Sequence, residues 1–460
     1  MKKTISLLIL ISILSLLLLT SCAKTKETVT EVKDPVYKRG EVVSLNVYNW
    51  GEYISDGSEG IYDTNKEFVK YFNENLSEKY GGITVEVNYS TYPTNEDMYS
   101  KLKNGASSYD VIIPSDYMIE RLISEGMLLR FDVEKDIENF HYIIDSFKKP
   151  YYDPDGAYSV PYTYGMLGII YNKTLVDPLD IDEEHELSWG LMWNEKYSGN
   201  ILQFNNPRDA FATAMYWKGL DVNSTEAEVW DEALELLKEQ KPLLQGYVSD
   251  EIFNKMCGES AAIAPYFVGD FLTMVDKQPN LDFFFPREGV NYFVDAMCIP
   301  ISTKHPSIAK EYINFMLSPE AAIANAEYLG YASPHSYVVN DEDYIAYMED
   351  FGYEGPNGET AYDLLYNNDP ATVNERYNAL FSDDDIKDPA CYRNFTPEIQ
   401  SRVNTLWEEL KISGSTELWV HITSIGIVVG VVALAVYTTY VKKKRSRFYR
   451  ERDKASRSAK

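Results

Sequence analysis

The sequence predicts an α/β protein whose body folds as two lobes. Three observations lead there. Strand-like and helix-patterned runs alternate, as in "ITVEVNYSTY", "NEDMYSKLKNGASS" and "YDVIIPS". That β–α–β rhythm implies a largely parallel sheet with ligands at the strand ends. The stretch Ser44–Ile412 is about 370 residues, more than one hydrophobic core usually organises. Apolar segments near both ends set this body apart from the rest of the chain.

At the N-terminus, Met1–Cys22 reads as a secretory signal, with Lys2 and Lys3 ahead of the apolar run Ile5–Leu19. It closes on "LTSC", which resembles a bacterial lipobox and implies lipidation of Cys22. Ala23–Val43 is a polar linker rich in Lys, Glu and Thr. Near the other end, Leu418–Val441 is free of charged side chains. Its length corresponds to about 36 Å of helix, and a C-terminal transmembrane helix is expected there. Lys442–Lys460 is a basic tail, placed in the cytoplasm by its charge. The body is then extracytoplasmic, held to the cell membrane by both ends.

Within the body, "SLNVYNW" and "ITVEVNYSTY" alternate as strands, and "YDVIIPS" has an apolar strand core. Between the last two, a helix is expected with Met98 and Leu102 on one face and Gly105 as its stop. "STEAEVWDEALELLKEQKP" predicts a helix opened by a Thr225–Glu228 capping box and burying Val229, Ala233 and Leu237. "HPSIAKEYINFMLSPEAAIANAEYLG" predicts two helices, broken where Ser318 caps and Pro319 takes the first helical position. No internal repeat is present at a solenoid period.

Charge narrows the function. Setting aside the 10 basic and 2 acidic residues of Lys442–Lys460, with Lys2 and Lys3, leaves 31 basic against 69 acidic residues, a net charge of −38 outside the cell. Such a surface repels nucleic acid and anionic lipid and attracts cations. The 37 tyrosines against 19 phenylalanines argue for ordered, partly polar surfaces. Beyond Cys22, the cysteines are Cys257, Cys298 and Cys391, which allow at most one disulfide. No metal-binding spacing, nucleophile elbow or P-loop occurs, so neither an enzyme nor a metal or cofactor site is expected.

The segment "VYNWGEYISDG" places Trp50, Glu52 and Tyr53 in one glycine-bounded turn. Two rings flanking a carboxylate suit a cation with an apolar body. Along the chain follow "STYPTNEDMYSKLKNGASSYDVIIPSDYMIERLISEGML", "VPYTYGMLGIIYN", "LSWGLMWNEKYSGNI", "INFMLSPEAA" and "YLGYASP". This ordered series resembles the spermidine/putrescine-binding proteins of polyamine ABC transporters across nearly all of Ser44–Ile412. The resemblance implies a type II periplasmic-binding-protein fold with hinge crossovers. Lobe one would be Ser44–Tyr162 with Phe293–Val338, and lobe two residues 163–292 with 339–412. A polyamine would be captured for delivery to an ABC permease with its ATPase.

Position by position, the resemblance implies ligand contacts from Trp50, Glu52, Tyr53, Ser115, Asp116 and Tyr117. It adds Asn206, Asp209, Ser249, Tyr266, Asp270, Phe293, Asp295, Tyr331 and Arg393. Several depart from the family's pattern. Asn206 stands where the first of two acids is usual, and Arg393 lies near a usual glutamine. Fewer anions and an extra cation imply a preference for the shorter diamine. Taken singly, Trp50 and Tyr53 would also pack a lobe edge, and Asp209 beside Arg208 would cap a helix. A polyamine sensor and a ferric-ion carrier using Tyr151 and Tyr152 are the alternative readings.

Overall fold

The computed structural model describes residues 32–105, 108–181, 187–355, 358–381, 388–413, 437–438 and 443–444. The signal segment with Cys22 lies outside them. The described chain forms two α/β units. Unit 1 holds the residues through Tyr164 together with Val294–Leu329 and Ser333–Tyr344. Unit 2 holds Gly165–Phe293, Gly330–Ala332 and the residues from Ile345 on.

Unit 1 is built on β1 (Val42–Trp50), β2 (Thr84–Tyr92), β3 (Val111–Ile112) and the later part of β9 (Tyr292–Cys298), in the order β2-β1-β3-β9. β1 runs parallel to both β2 and β3, and β9 is antiparallel to β3. Central β1 buries Leu45, Val47 and Tyr48, as a strand flanked on both edges does. Edge strand β2 instead turns Glu86 and Asn88 to solvent. The connecting helix Asn95–Lys103 is capped by Thr94, buries Met98 and stops at Gly105, whose φ is +61°. Leu102 is only half-buried.

In unit 2, β4 (Ser159–Asn172, its residues from Gly165) pairs antiparallel with β7 (Ile263–Phe267) and with β8 (Leu281–Phe284). Parallel to β7 lies β5 (Ile201–Phe204), which pairs parallel with β6 (Leu244–Val248). Helix Ala227–Gln240 buries Trp230, Ala233, Leu234 and Leu237. Its expected capping box does not form. Glu226 is the capping residue without a side-chain bond, Thr225 is exposed, and the Ser224 hydroxyl accepts from the Glu226 amide instead. In unit 1, helices Pro306–Met316 and Pro319–Leu329 break at Ser318.

The expected C-terminal transmembrane helix requires correction. Among the described residues no helix is long and apolar enough to cross a membrane. The last long helix, Pro397–Ile412, carries Glu398, Arg402, Glu408, Glu409 and Lys411, a polar face no bilayer core would accept. Of Leu418–Val441 only residues 437–438 are described, and Tyr437 is exposed. The net charge of −38 depended on that span, so the value for the whole chain, −28, is the one that stands.

Two features place the strands that matter below. Asp153 accepts the amides of Ala157, Tyr158 and Ser159 at 2.9–3.1 Å and the Ser159 hydroxyl at 2.9 Å, fixing the entry into β4. Further along β4, a Cβ on Gly168 would lie 2.2 Å from the Phe283 ring and 2.6 Å from the Phe284 carbonyl. Only glycine fits the approach of β8 there. Gly168→Ala should therefore lower stability by about 1–3 kcal/mol in urea denaturation; an unchanged midpoint would contradict this packing.

Candidate functional site

The positions singled out in the sequence fall at a common structural address. Trp50 ends β1 and leads to Glu52 and Tyr53, while Ser115, Asp116 and Tyr117 follow β3. In unit 2, Asn206 and Asp209 follow β5, Ser249 follows β6, and Tyr266 with Asp270 lies at the end of β7. Carboxyl ends of parallel strands, where helices begin, are where open α/β sheets bind ligands.

Unit 1 gathers its residues around Asp295 on β9. The Tyr53 hydroxyl donates to Asp295 Oδ2 at 2.7 Å, and Ser115 pairs with Asp295 by a backbone bridge. Asp295 Oδ1 is buried and meets no hydrogen-bond donor at bonding geometry. Asp116, the first residue of helix Asp116–Ser124, accepts the amides of Tyr117 at 2.7 Å and Val294 at 3.3 Å. Trp50 is held by a hydrogen bond and a tilted ring contact. Its indole N–H donates to the Ile113 carbonyl at 3.0 Å, and its ring leans on Tyr92 with centroids 4.7 Å apart. Asn49 closes the turn by accepting from the Trp50 amide and donating to the Tyr53 carbonyl. Tyr117 points its hydroxyl at Glu96 and Asn95.

Unit 2 carries two groupings. In the first, the Tyr331 hydroxyl donates to Asp270 at 2.5 Å, and the Tyr331 ring meets Phe293 with centroids 6.1 Å apart. Phe293 in turn packs edge-on to Phe267, which touches Tyr266. Gly269 makes room for this arrangement, since a Cβ there would lie 2.6 Å from the Tyr331 ring. In the second, Asn206 caps helix Pro207–Lys218 by accepting from the Asp209 amide at 2.9 Å and also donates to its carboxylate at 2.9 Å. The Tyr392 hydroxyl donates to the other Asp209 oxygen at 3.0 Å. Arg208 lies over the Tyr392 and Phe395 rings and donates to the Arg393 carbonyl.

Three positions stand apart from these clusters. Glu52 is exposed at φ +49°, a left-handed conformation uncommon for a non-glycine residue, and takes its bond from the Tyr328 hydroxyl at 2.9 Å. Ser249 is exposed, its amide donating to Glu251. Arg393 joins its cluster through its backbone. Several residues the sequence did not single out hold the others in place: Tyr92, Tyr162, Thr163, Phe267, Tyr328 and Tyr392. Four of them stand inside quoted motifs, Tyr162 and Thr163 in "VPYTYG", Tyr92 in "STYPTNED" and Tyr328 in "YLGYASP". Tyr151 and Tyr152 pack edge-on, and Tyr151 bonds Asp116. Among the described residues no group of three or more His, Cys, Asp or Glu is placed to hold a metal.

Burial dominates the electrostatics. It pushes the Asp116 carboxyl up to about 7, offset in part by the Tyr117 amide. Burial likewise raises Asp295 to about 6, with Ser115 and Tyr53 pulling it back. It raises Asp270 to about 7, opposed by the Tyr331 hydroxyl. Asp209 is raised by burial too, against Asn206 and Tyr392. A buried anion is costly unless a cation meets it. These clusters bring ring faces and acidic oxygens together in each unit.

Comparison with known proteins gives a consistent picture. Residues 67–351 match the sequence profile of the family described as bacterial extracellular solute-binding protein. The spermidine/putrescine-binding periplasmic protein of Escherichia coli (strain K12) is 30% identical over 294 residues, covering 64% of this chain and 78% of that protein. The putrescine/cadaverine-binding protein of Pseudomonas aeruginosa is 28% identical over 302 residues, covering 64% and 79%. Among solved structures, a spermidine/putrescine ABC transporter substrate-binding protein from Streptococcus pneumoniae superposes with a TM-score of 0.56 at 29% identity, covering 80% of this chain and 99% of that one. The architecture is therefore a mixed α/β periplasmic-binding-protein fold.

The raised carboxyls set a direction for stability. Unfolded, they ionise near 4; folded, near 6 to 7, so between those limits the folded protein holds more protons. The stability they contribute is complete below about pH 4 and is lost as pH rises through about 7. The ligand-free protein should gain about 1 kcal/mol on going from pH 8 to 6.5, net of a smaller opposing contribution from buried, neutral His335, whose unfolded imidazole begins to protonate in that window. Asp270→Asn should flatten that slope in denaturation at the two pH values. A stability that rises toward pH 8 would contradict the burial of these groups.

Proposed function

Because the chain belongs to the bacterial extracellular solute-binding protein family, we propose that it is the substrate-binding component of a polyamine ABC importer. It captures a protonated amine outside the cytoplasm and delivers it to a permease driven by an ATPase. Relatives named for binding spermidine, putrescine and cadaverine support this reading. No bond in the ligand is made or broken.

One observation carries the proposal at the level of atoms: the buried Asp295 Oδ1 without a hydrogen-bond donor. An ammonium supplies both the missing N–H and the missing charge, and a charge-assisted hydrogen bond of this kind is about twice as strong as a neutral one. The rings the resemblance assigns to the methylenes and further ammonium groups are Trp50 and Tyr53 of unit 1 and Tyr266, Phe293 and Tyr331 of unit 2, each desolvated cation–π contact adding about 2 kcal/mol. Buried Asp116 and half-buried Asp209 and Asp270 are the remaining acids, and Glu52, Ser115, Tyr117, Ser249, Asn206 and Arg393 are assigned the outer contacts.

Asn206 directs both ends of its amide at Asp209, so that cluster presents one anion where two would suit a longer, more highly charged guest. This supports a preference for the diamine. The lobes would follow the boundaries given above, and lipid on Cys22 would keep the protein at the cell surface.

Calorimetric titration of the purified protein should show saturable binding of putrescine and spermidine, putrescine the tighter. Asp295→Asn should weaken both by about 10- to 100-fold. No heat and no thermal shift with either amine would refute the transport reading, and tighter spermidine binding would refute the preference alone. Intact-mass measurement of the membrane form should find the mature N-terminus at Cys22 carrying acyl chains.

A further inference from the structure

Tyr53 makes two short side-chain bonds, and their directions are not independent. Its hydroxyl lies 2.7 Å from Asp295 Oδ2 and 2.6 Å from Thr163 Oγ1. A phenol has a single proton, and an ionised carboxylate can only accept. The phenol proton therefore goes to Asp295, and Thr163 must donate to Tyr53. Thr163 is 3% exposed and β-branched on strand β4, so its hydroxyl has few directions open to it. The Tyr53 carbonyl is also fixed, by Asn49 at 2.9 Å and by the Tyr162 hydroxyl at 3.1 Å. Backbone and side chain of Tyr53 are both pinned, and the pins come from residues 162 and 163.

We propose that Thr163 is a positioning residue for the amine site, acting through Tyr53 to fix which oxygen of Asp295 is left for the ligand. With the chain Thr163→Tyr53→Asp295 Oδ2 in place, Oδ1 alone remains for an incoming N–H. Hydrogen bonds in series polarise one another, so the threonine strengthens the phenol as a donor and keeps Asp295 anionic. Both partners of Tyr53 also sit beside the points where the chain changes unit. Thr163 is one residue before the end of its segment at Tyr164, and Asp295 is one residue after the return at Val294.

The proposal deepens the amine-binding reading and rests on it only for affinity. Its test uses the intact protein with Thr163→Val, which keeps shape and removes the hydroxyl, and Thr163→Ser, which restores a donor. The titratable groups around Asp295 are Tyr53, Tyr92, Tyr162 and Asp116, and of these Asp116 alone titrates in the same range. Carboxyl ¹³C NMR without ligand should show the Asp295 titration of Thr163→Val moved up by about half a pH unit. Putrescine affinity at pH 7.5 should fall about 3- to 10-fold, and its acid limb should move to higher pH. Thr163→Ser should return both toward the parent, with thermal midpoints close throughout. Unchanged titration and affinity in Thr163→Val would overturn the proposal, as would a serine variant as impaired as the valine one. A titration shift in a protein that binds no amine would uphold the positioning role and defeat the transport reading instead.

Discussion

The molecule is organised around negative charge held away from water. Asp116 and Asp295 are almost fully buried, and Asp209 and Asp270 are largely enclosed beside aromatic rings. An isolated buried carboxylate is among the most expensive groups a fold can hold. The surrounding structure offsets that cost only in part. Phenols donate to Asp295, Asp270 and Asp209, backbone amides to Asp116, and the first turns of helices supply a favourable dipole. On the proposed reading, a cation would meet the remainder, and the rings packed beside these acids suit the same guest.

The fold meets the requirement by repetition. In each unit, parallel strands end where a helix begins, and the acid sits on or near the first helical turn: Asp116 after β3, Asp209 after β5, Asp270 after β7. Asp295 differs, since it lies within a strand and has no helix to assist it. Its support comes from side chains, the Tyr53 hydroxyl and Ser115, and Tyr53 is in turn held by Thr163.

Periodic features were legible in the sequence. The β–α–β alternation, the Met98 face of Asn95–Lys103 and the break at Ser318 depend on residues a few positions apart, and the structure has them. The Thr225 cap failed because the helix starts one residue later, capped at Glu226, with Ser224 accepting from the Glu226 amide. The membrane span was inferred from hydropathy, which the described residues do not support. Within the candidate site, strand ends could be anticipated, but partners could not. Tyr53 is separated from Thr163 by 110 residues and from Asp295 by 242, and no local pattern encodes such a pairing. Glu52 illustrates the same limit: its motif suggested a carboxylate for an amine, and neither its left-handed turn nor its bond from Tyr328 could be read from the sequence.

The address of these groups also bears on how such a protein diversifies. Residues on strand-to-helix junctions can be exchanged with little effect on the sheet beneath them, so if Asn206, Asp209, Ser249 and Asp270 contact the guest as proposed, length and shape preference would drift through them while folding is preserved. Asp295 has no such freedom, being woven into the sheet. On the proposed reading, a lineage that reworks its junctions yet retains this strand would carry an inherited bias toward positively charged cargo, whatever the rest of the site becomes.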